Sequence, residues 1–303
     1  MVAVVGPTGT GKSDLGVALA RALDGEVVNA DSMQVYQGMD VGTAKLTEAE
    51  RGGVPHHLLD VWLVRHAVSV AEYQALARAT VDDVLARGRV PLLVGGSGLY
   101  VGAVVDDLRF PGTDAEVRAR WEAELDRLGP QALHDLLAER DPDAAAAILP
   151  TNGRRIVRAL EVVELTGSFR ARLPEPTPWY RAVHVGLTLP RPELDVRLAQ
   201  RVDRMWAAGL VDEVRRLADT EGLRDAPTAS RALGYRQVLA FLAGECDEAT
   251  AREETVRATR AFARRQERWF RRDPRVVWLP ADAPDLVERA LATVRARGAP
   301  VTA

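Results

Sequence analysis

Apolar residues first run together at Val2-Ala3-Val4-Val5, stop at Gly6, and then recur at helical spacing as Leu15, Ala18, Leu19, Ala22 and Leu23. The short β-branched run fits a strand buried on both faces, and the spacing after it predicts a helix over 12–23 that ends at Gly25. Further strands are expected at Glu26 to Asn29 and at Val90 to Val94, with a helix from Ala71 to Arg87 between them. This alternation predicts a parallel sheet covered by helices on both faces. From about Asp114 to Thr166 the pattern is helical alone, in segments 115–128, 131–139 and 154–165, with breaks at Gly129-Pro130 and at 150–153. Three prolines within 173–178 mark a return linker. A strand is expected at Val183 to Leu189, helices to about Arg272, and a late strand from Arg275 to Leu279. The chain thus divides into a core, residues 1–113 and 173–303, and a helical insertion, residues 114–172.

Composition narrows the class. Hydrophobic residues make up 47% of 303 and charged residues 27%, which excludes disordered, collagenous and disulfide-scaffold readings. No run reaches the roughly 18 to 20 apolar residues of a membrane span, and no secretory leader is visible. The single cysteine, Cys246, cannot form an internal disulfide and fits a reducing cytoplasm, so a soluble cytoplasmic monomer is expected. Only Met1 precedes the first strand, which leaves room for a start slightly upstream. A net charge of -3 excludes a uniformly basic coat but not a local basic patch. Of 40 basic residues only Lys12 and Lys45 are lysine, and where arginine is used everywhere else a retained lysine marks a position needing a compact, mobile charge.

Lys12 lies in such a position. Residues 6–13, Gly6-Pro7-Thr8-Gly9-Thr10-Gly11-Lys12-Ser13, match the phosphate-binding P-loop. Glycines let backbone N–H groups converge on phosphate oxygens, the helix behind them presents its positive end, Lys12 adds charge, and Ser13 is the expected Mg2+ ligand. The fold class is therefore α/β, a P-loop NTPase-like parallel sheet with an inserted helical domain. Asp31 follows the second strand at the carboxyl edge of the sheet, where a carboxylate can accept a proton or hold a metal-bound water. The loop alone specifies only a di- or triphosphate. A small-molecule or nucleotide kinase using ATP and a nucleotide-gated RNA-binding protein therefore remain alternatives. His56 and His57, adjacent on a strand, point to opposite faces and read as packing or hydrogen-bonding residues rather than a metal pair.

Longer segments carry a wider resemblance: 31–45 (DSMQVYQGMDVGTAK), 55–60 (PHHLLD), 92–100 (LLVGGSGLY), 152–162 (NGRRIVRALEV), 231–237 (RALGYRQ) and 264–272 (RRQERWFRR). Together with the P-loop they resemble the tRNA dimethylallyltransferases, or tRNA isopentenyltransferases, in the family's order over nearly the whole chain. The resemblance implies that the P-loop holds the diphosphate of dimethylallyl diphosphate with Mg2+ near Ser13. The acceptor would be N6 of the adenosine at position 37, beside the anticodon of tRNA. It further implies that Asp31 is the general base and that Arg201 faces the diphosphate beside Lys12. Three features depart from the family: Gln37 stands where a basic residue is common, no proline follows Lys45, and Glu267-Arg268 replaces a shorter hydroxyl-containing pattern.

An RNA surface has separate support. Arg257, Arg260, Arg264, Arg268, Arg271 and Arg275 recur every three or four residues, with Phe262, Trp269 and Phe270 broadly opposite. Eight arginines against two acids over 257–275 make a basic stripe suited to a phosphate backbone. By family correspondence the expected contacts to the tRNA anticodon stem-loop are Asp31, Ser32, Met33, Gln34, Ser97, Arg118, Arg154, Arg155, Arg231, Gly234, Tyr235, Arg236, Arg264, Arg265, Gln266, Arg268 and Arg271. The base must be splayed from its loop, through a channel open at both ends, with the insertion clamping the anticodon arm.

Overall fold

A computed structural model describes residues 1–170 and 175–298. In chain order the elements are β1 (Val2–Val5), α1 (Lys12–Ala22), β2 (Gly25–Asn29), α2 (Glu48–Arg51), β3 (His56–His57), α3 (Val70–Ala86), β4 (Val90–Val94) and α4 (Gly98–Val105). The helices α5 (Ala115–Arg140), α6 (Pro142–Ala146) and α7 (Gly153–Thr166) follow. The chain then returns through β5 (Val183–Thr188), α8 (Arg191–Ala207), α9 (Leu210–Thr220), α10 (Tyr235–Leu242), α11 (Glu248–Phe270), β6 (Val276–Pro280) and α12 (Leu286–Ala296).

Six strands among the described residues form one sheet in the order β3-β2-β4-β1-β5-β6, and every neighbouring pair is parallel. Because side chains alternate along a strand, Val2 and Val4 face α1 and α12, whereas Ala3 and Val5 face the layer built from α3, α4, α9 and α10. The uninterrupted apolar strands are the consequence of covering both faces. Because the strands are parallel, the segments after β1, β2 and β4 lie at the same carboxyl edge, where open parallel sheets bind ligands. The short helices α2 and α6 and the helices α4 and α12 are additions to the elements expected from sequence. His57 Nε2 lies 2.6 Å from Glu26 Oε2, and His56 Nδ1 lies 2.8 Å from the Val54 carbonyl, so both rings have structural partners.

Two compact units emerge: Met1–Asp107 with Pro178–Ala303, and Leu108–Thr177. Residues 108–113 go with the helical unit because Arg158 of α7 donates to the carbonyls of Pro111 and Gly112. Of the expected linker, residues 173 and 174 lie outside the described residues. Within the helical unit, Trp121, Leu133, Leu137, Ile156 and Leu160 form a core of its own. α5 changes direction at Gly129, whose φ of 79° and ψ of 166° leave helical geometry just before Pro130.

Candidate active site

The P-loop begins where β1 stops. Gly11 takes the left-handed conformation (φ 81°, ψ 23°) as the residue before α1, which a side chain would oppose. Inside the loop the Thr10 hydroxyl donates to the Pro7 carbonyl at 2.9 Å, and the Lys12 ammonium donates to the same oxygen at 2.7 Å. Ser13, on the first turn of α1, lines a cavity of about 30 Å³ together with Asn29, Gln34 and His56.

Asp31 is fixed by its own backbone. Asn29, the last residue of β2, accepts the Asp31 N–H at 3.0 Å, and its amide donates to the carbonyls of Asp31 and Leu58 at 3.1 Å each. The Asp31 Oδ1 atom accepts the Met33 N–H at 2.9 Å, a local turn that orients the carboxylate. From α8, Arg201 Nη2 donates to the Thr43 carbonyl at 3.3 Å, and Gln34 Nε2 donates to the same carbonyl at 3.1 Å.

Lys12, Arg201 and Asp31 act on one another electrostatically. Burial, reinforced by the nearby Arg201 cation and opposed by Asp31, pushes the Lys12 ammonium down to about 7. Burial also lowers the Arg201 guanidinium, again opposed by Asp31. Two half-buried cations beside the Asp31 carboxylate leave excess positive charge, which an anion seated on the P-loop N–H groups would neutralise.

The residues expected to meet RNA divide into three groups. Ser32 and Ser97 are brought together: the Ser97 hydroxyl accepts the Ser32 N–H at 3.1 Å and lies 3.2 Å from the Ser32 hydroxyl, while Met33 and Gln34 follow on the same half-buried turn. Arg231, Arg236, Arg264, Arg265, Arg268 and Arg271 are exposed on the sheet unit, and Arg154 and Arg155 are exposed on the helical unit. Arg118, also on the helical unit, is half-buried and pairs at 2.8 Å with the fully buried Glu161. Gly234, Tyr235 and Gln266 differ from expectation: all three are buried. Gly234 precedes α10 and donates its N–H to Gln237, and the Tyr235 hydroxyl donates to Glu213 at 2.5 Å. Gln266 Oε1 accepts the Thr8 N–H at 2.9 Å while its Nε2 donates to the Gly96 carbonyl at 2.9 Å.

The basic stripe is shorter than its sequence spacing. Arg275 is committed to Asp106 at 2.6 Å and to Asp273 at 2.7 Å, Arg260 reaches the Asp195 carbonyl, and Arg257 pairs with Glu254. Trp269, expected opposite the arginines, is 41% exposed and lies against Gly98, where an added Cβ would sit 2.2 Å from its ring. The buried face of α11 consists instead of Ala251, Thr255, Ala263, Gln266 and Phe270.

Three structural roles escape the sequence. Asn29 orients Asp31, with only a polar residue at a strand end as its signal. Lys45 is buried between Asp40 at 2.6 Å and Asp60 at 2.5 Å, and also donates to the Tyr36 carbonyl. Glu213 sits on an amphipathic helix where it reads as an ordinary solvated charge, and no local signal distinguishes it.

A family model described as IPP transferase matches residues 34–273. The tRNA dimethylallyltransferase of Thermobifida fusca is 68% identical over 300 residues, covering 97% of this chain and 94% of its own. The solved full-length tRNA isopentenylpyrophosphate transferase of Bacillus halodurans is 41% identical with a TM-score of 0.72, covering 98% of this chain and 97% of that one. A solved eukaryotic dimethylallyltransferase acting on tRNA has a TM-score of 0.83 at 24% identity, covering 100% of this chain and 81% of that one, and shares the fold.

Proposed function

The chain belongs to the IPP transferase family, and from that premise we propose that it transfers the dimethylallyl group of dimethylallyl diphosphate to N6 of the adenosine at position 37 of tRNA, releasing diphosphate. The observation that carries the chemistry is the placement of the Lys12 ammonium on the P-loop, the oriented Asp31 carboxylate after β2 and the Arg201 guanidinium held at the Thr43 carbonyl, near enough to one another to interact electrostatically. As the adenine N6 lone pair forms its bond to C1 of the allyl group, the C1–O bond breaks and its electron pair leaves on the diphosphate. The charge that develops there is met by the P-loop N–H groups, the Lys12 ammonium and the planar fork of Arg201. Lys12 exchanges the Pro7 carbonyl for a phosphate oxygen, a movement its flexible stem permits. The N6 proton passes to the Asp31 carboxylate, whose orientation by Asn29 and Met33 keeps it ready to accept.

The residues present fit Mg2+. Ser13 offers one hydroxyl on the first turn of α1, directly after the P-loop lysine. That donor set suits an ion that keeps several waters and takes its other ligands from phosphate oxygens, and the cavity beside Ser13 has room for about two waters. When bound, Mg2+ supplies further neutralisation of the leaving diphosphate.

On the RNA side, the Arg264 and Arg268 side chains make no hydrogen bond or ion pair to protein among the described residues, and with Arg265 and with Arg271, which pairs with Glu267 at 3.2 Å, they form the patch we assign to the anticodon stem-loop. Ser32, Met33, Gln34 and Ser97, beside Asp31, are assigned to the extruded base. Arg118, Arg154, Arg155, Arg231 and Arg236 are kept as backbone contacts. No helix among the described residues is long and apolar enough to cross a membrane. We take the enzyme to be a cytoplasmic monomer, the compartment that its lone Cys246 favours.

The test is transfer of label from dimethylallyl diphosphate to an unmodified anticodon stem-loop in the presence of Mg2+, with ATP as the competing donor. Labelled RNA is the expected product. Phosphate transfer from ATP to a small acceptor, without prenylation, would overturn the reading.

A further inference from the structure

The loop 38–45 holds the carbonyl that Arg201 contacts, and it is itself held by a carboxylate outside the reaction centre. Glu213, on α9, accepts three successive backbone N–H groups: Asp40 at 3.0 Å and Val41 at 2.7 Å through Oε2, and Gly42 at 3.1 Å through Oε1. Its fourth donor is the buried Tyr235 hydroxyl at 2.5 Å. One turn along the same helix, Arg216 donates to the Gly38 carbonyl at 3.2 Å. Gly42 must lack a side chain, because a Cβ there would sit 2.4 Å from the Tyr235 ring. Consecutive N–H groups converging on one carboxylate resemble the backbone nests that bind phosphate, but here the anion is built into the protein. One residue further on, the Thr43 carbonyl accepts from Arg201 and from Gln34. The Thr43 hydroxyl, donating to the Met39 carbonyl at 2.6 Å, closes the turn on itself.

We propose that Glu213 is a positioning residue for the reaction: by clamping the 40–42 backbone it fixes the Thr43 carbonyl and, through it, the direction in which the Arg201 guanidinium faces the diphosphate. The two motifs around 31–45 and 231–237 are thereby coupled, since Tyr235 reaches the first through Glu213. The inference relies on the assignment of Arg201 to the diphosphate made above.

Glu213→Gln keeps the volume but turns an amide N–H toward Gly42 or toward Asp40 and Val41, whichever way the side chain rotates. Inorganic diphosphate titrated onto the full chain with Mg2+ is expected to bind Glu213→Gln at least fivefold more weakly, with anticodon stem-loop affinity within twofold of the parent. Adding Arg201→Ala to Glu213→Gln is expected to weaken diphosphate binding no further than Arg201→Ala does alone, the non-additivity of residues acting through one contact. A role confined to folding would lower the melting temperature and leave the two losses multiplicative, which overturns the proposal. Tyr235→Phe removes one of the four donors without emptying the core. It is expected to weaken diphosphate binding in the same sense by a smaller factor, and parental affinity in that variant also overturns the proposal. If Arg201→Ala alone binds diphosphate like the parent, the Arg201 assignment itself fails and the clamp with it. If Arg201→Ala is impaired but the losses multiply, only the clamp fails.

Discussion

Gln266 accepts the backbone N–H of Thr8 at 2.9 Å, so the helix that displays the arginine patch also holds the phosphate loop. Its other end donates to the Gly96 carbonyl, fastening the loop after β4 to the same side chain. Gln266→Ala leaves both backbone groups without their partner. The unfolding free energy is expected to fall by about 1–3 kcal/mol, the cost of unmatched buried polar groups. Diphosphate affinity should fall with it, because Thr8 belongs to the anion-binding loop. Denaturant unfolding and diphosphate titration check both. Weaker RNA binding with diphosphate binding intact would return Gln266 to the RNA surface.

Arginines within one stripe should behave in two ways. Arg264→Ala or Arg268→Ala is expected to weaken stem-loop binding uniformly across sequences and reduce the salt slope by about one counterion each, with little effect on stability. Arg275→Ala leaves the buried Asp106 without its partner and should destabilise the fold by up to about 3 kcal/mol. Salt-dependent binding isotherms and thermal unfolding separate the two classes. A lowered salt slope in a stably folded Arg275→Ala would restore it to the interface.

The contrast shows where sequence pattern carries information and where it does not. Buried parallel strands and the P-loop are legible because β-branched runs and glycine spacing have few other uses, and Asp31 is legible because the sheet edge is. Tertiary partners are not. Arg275 continues the helical spacing of Arg268 and Arg271, but α11 ends at Phe270 and Arg275 falls just before β6, within reach of Asp106, the residue after α4. Lys45 drew notice only as one of two lysines. In the fold it is buried, and the Asp40 and Asp60 carboxylates and the Tyr36 carbonyl converge on its one compact ammonium. Gln266 and Tyr235 lie in family-matching segments, but a motif does not say whether a polar atom faces the ligand or the scaffold.

Asp31→Asn keeps the side chain's size and its capacity to accept the Met33 N–H, while removing the basic oxygen that would take the N6 proton. The turnover number should fall by about 10²–10⁴-fold, the range for losing a positioned general base. Stem-loop affinity and diphosphate affinity should remain within a few-fold of the parent. Equal losses in turnover and RNA binding would assign Asp31 to recognition rather than proton transfer.

Lys12 provides a pH signature. In the free protein its ammonium is pushed down to about 7 from an ordinary 10.5, chiefly by burial and next by Arg201. Between those values the unfolded chain binds more protons at this residue than the folded one. This group alone therefore makes the unliganded fold more stable as pH rises through that window. A bound diphosphate reverses the balance by favouring the charged ammonium, so binding should draw in a proton wherever free Lys12 is neutral. At pH 8 the uptake assigned to Lys12 approaches about 0.9 proton, at pH 6 it falls to about 0.1, and affinity declines up to about tenfold per pH unit above 7. Calorimetric titration with diphosphate in two buffers of different ionisation enthalpy measures the uptake. The same titration of Lys12→Met subtracts the ligand's own ionisation. Equal uptake in both proteins at pH 8 would show that Lys12 is already charged before the anion arrives.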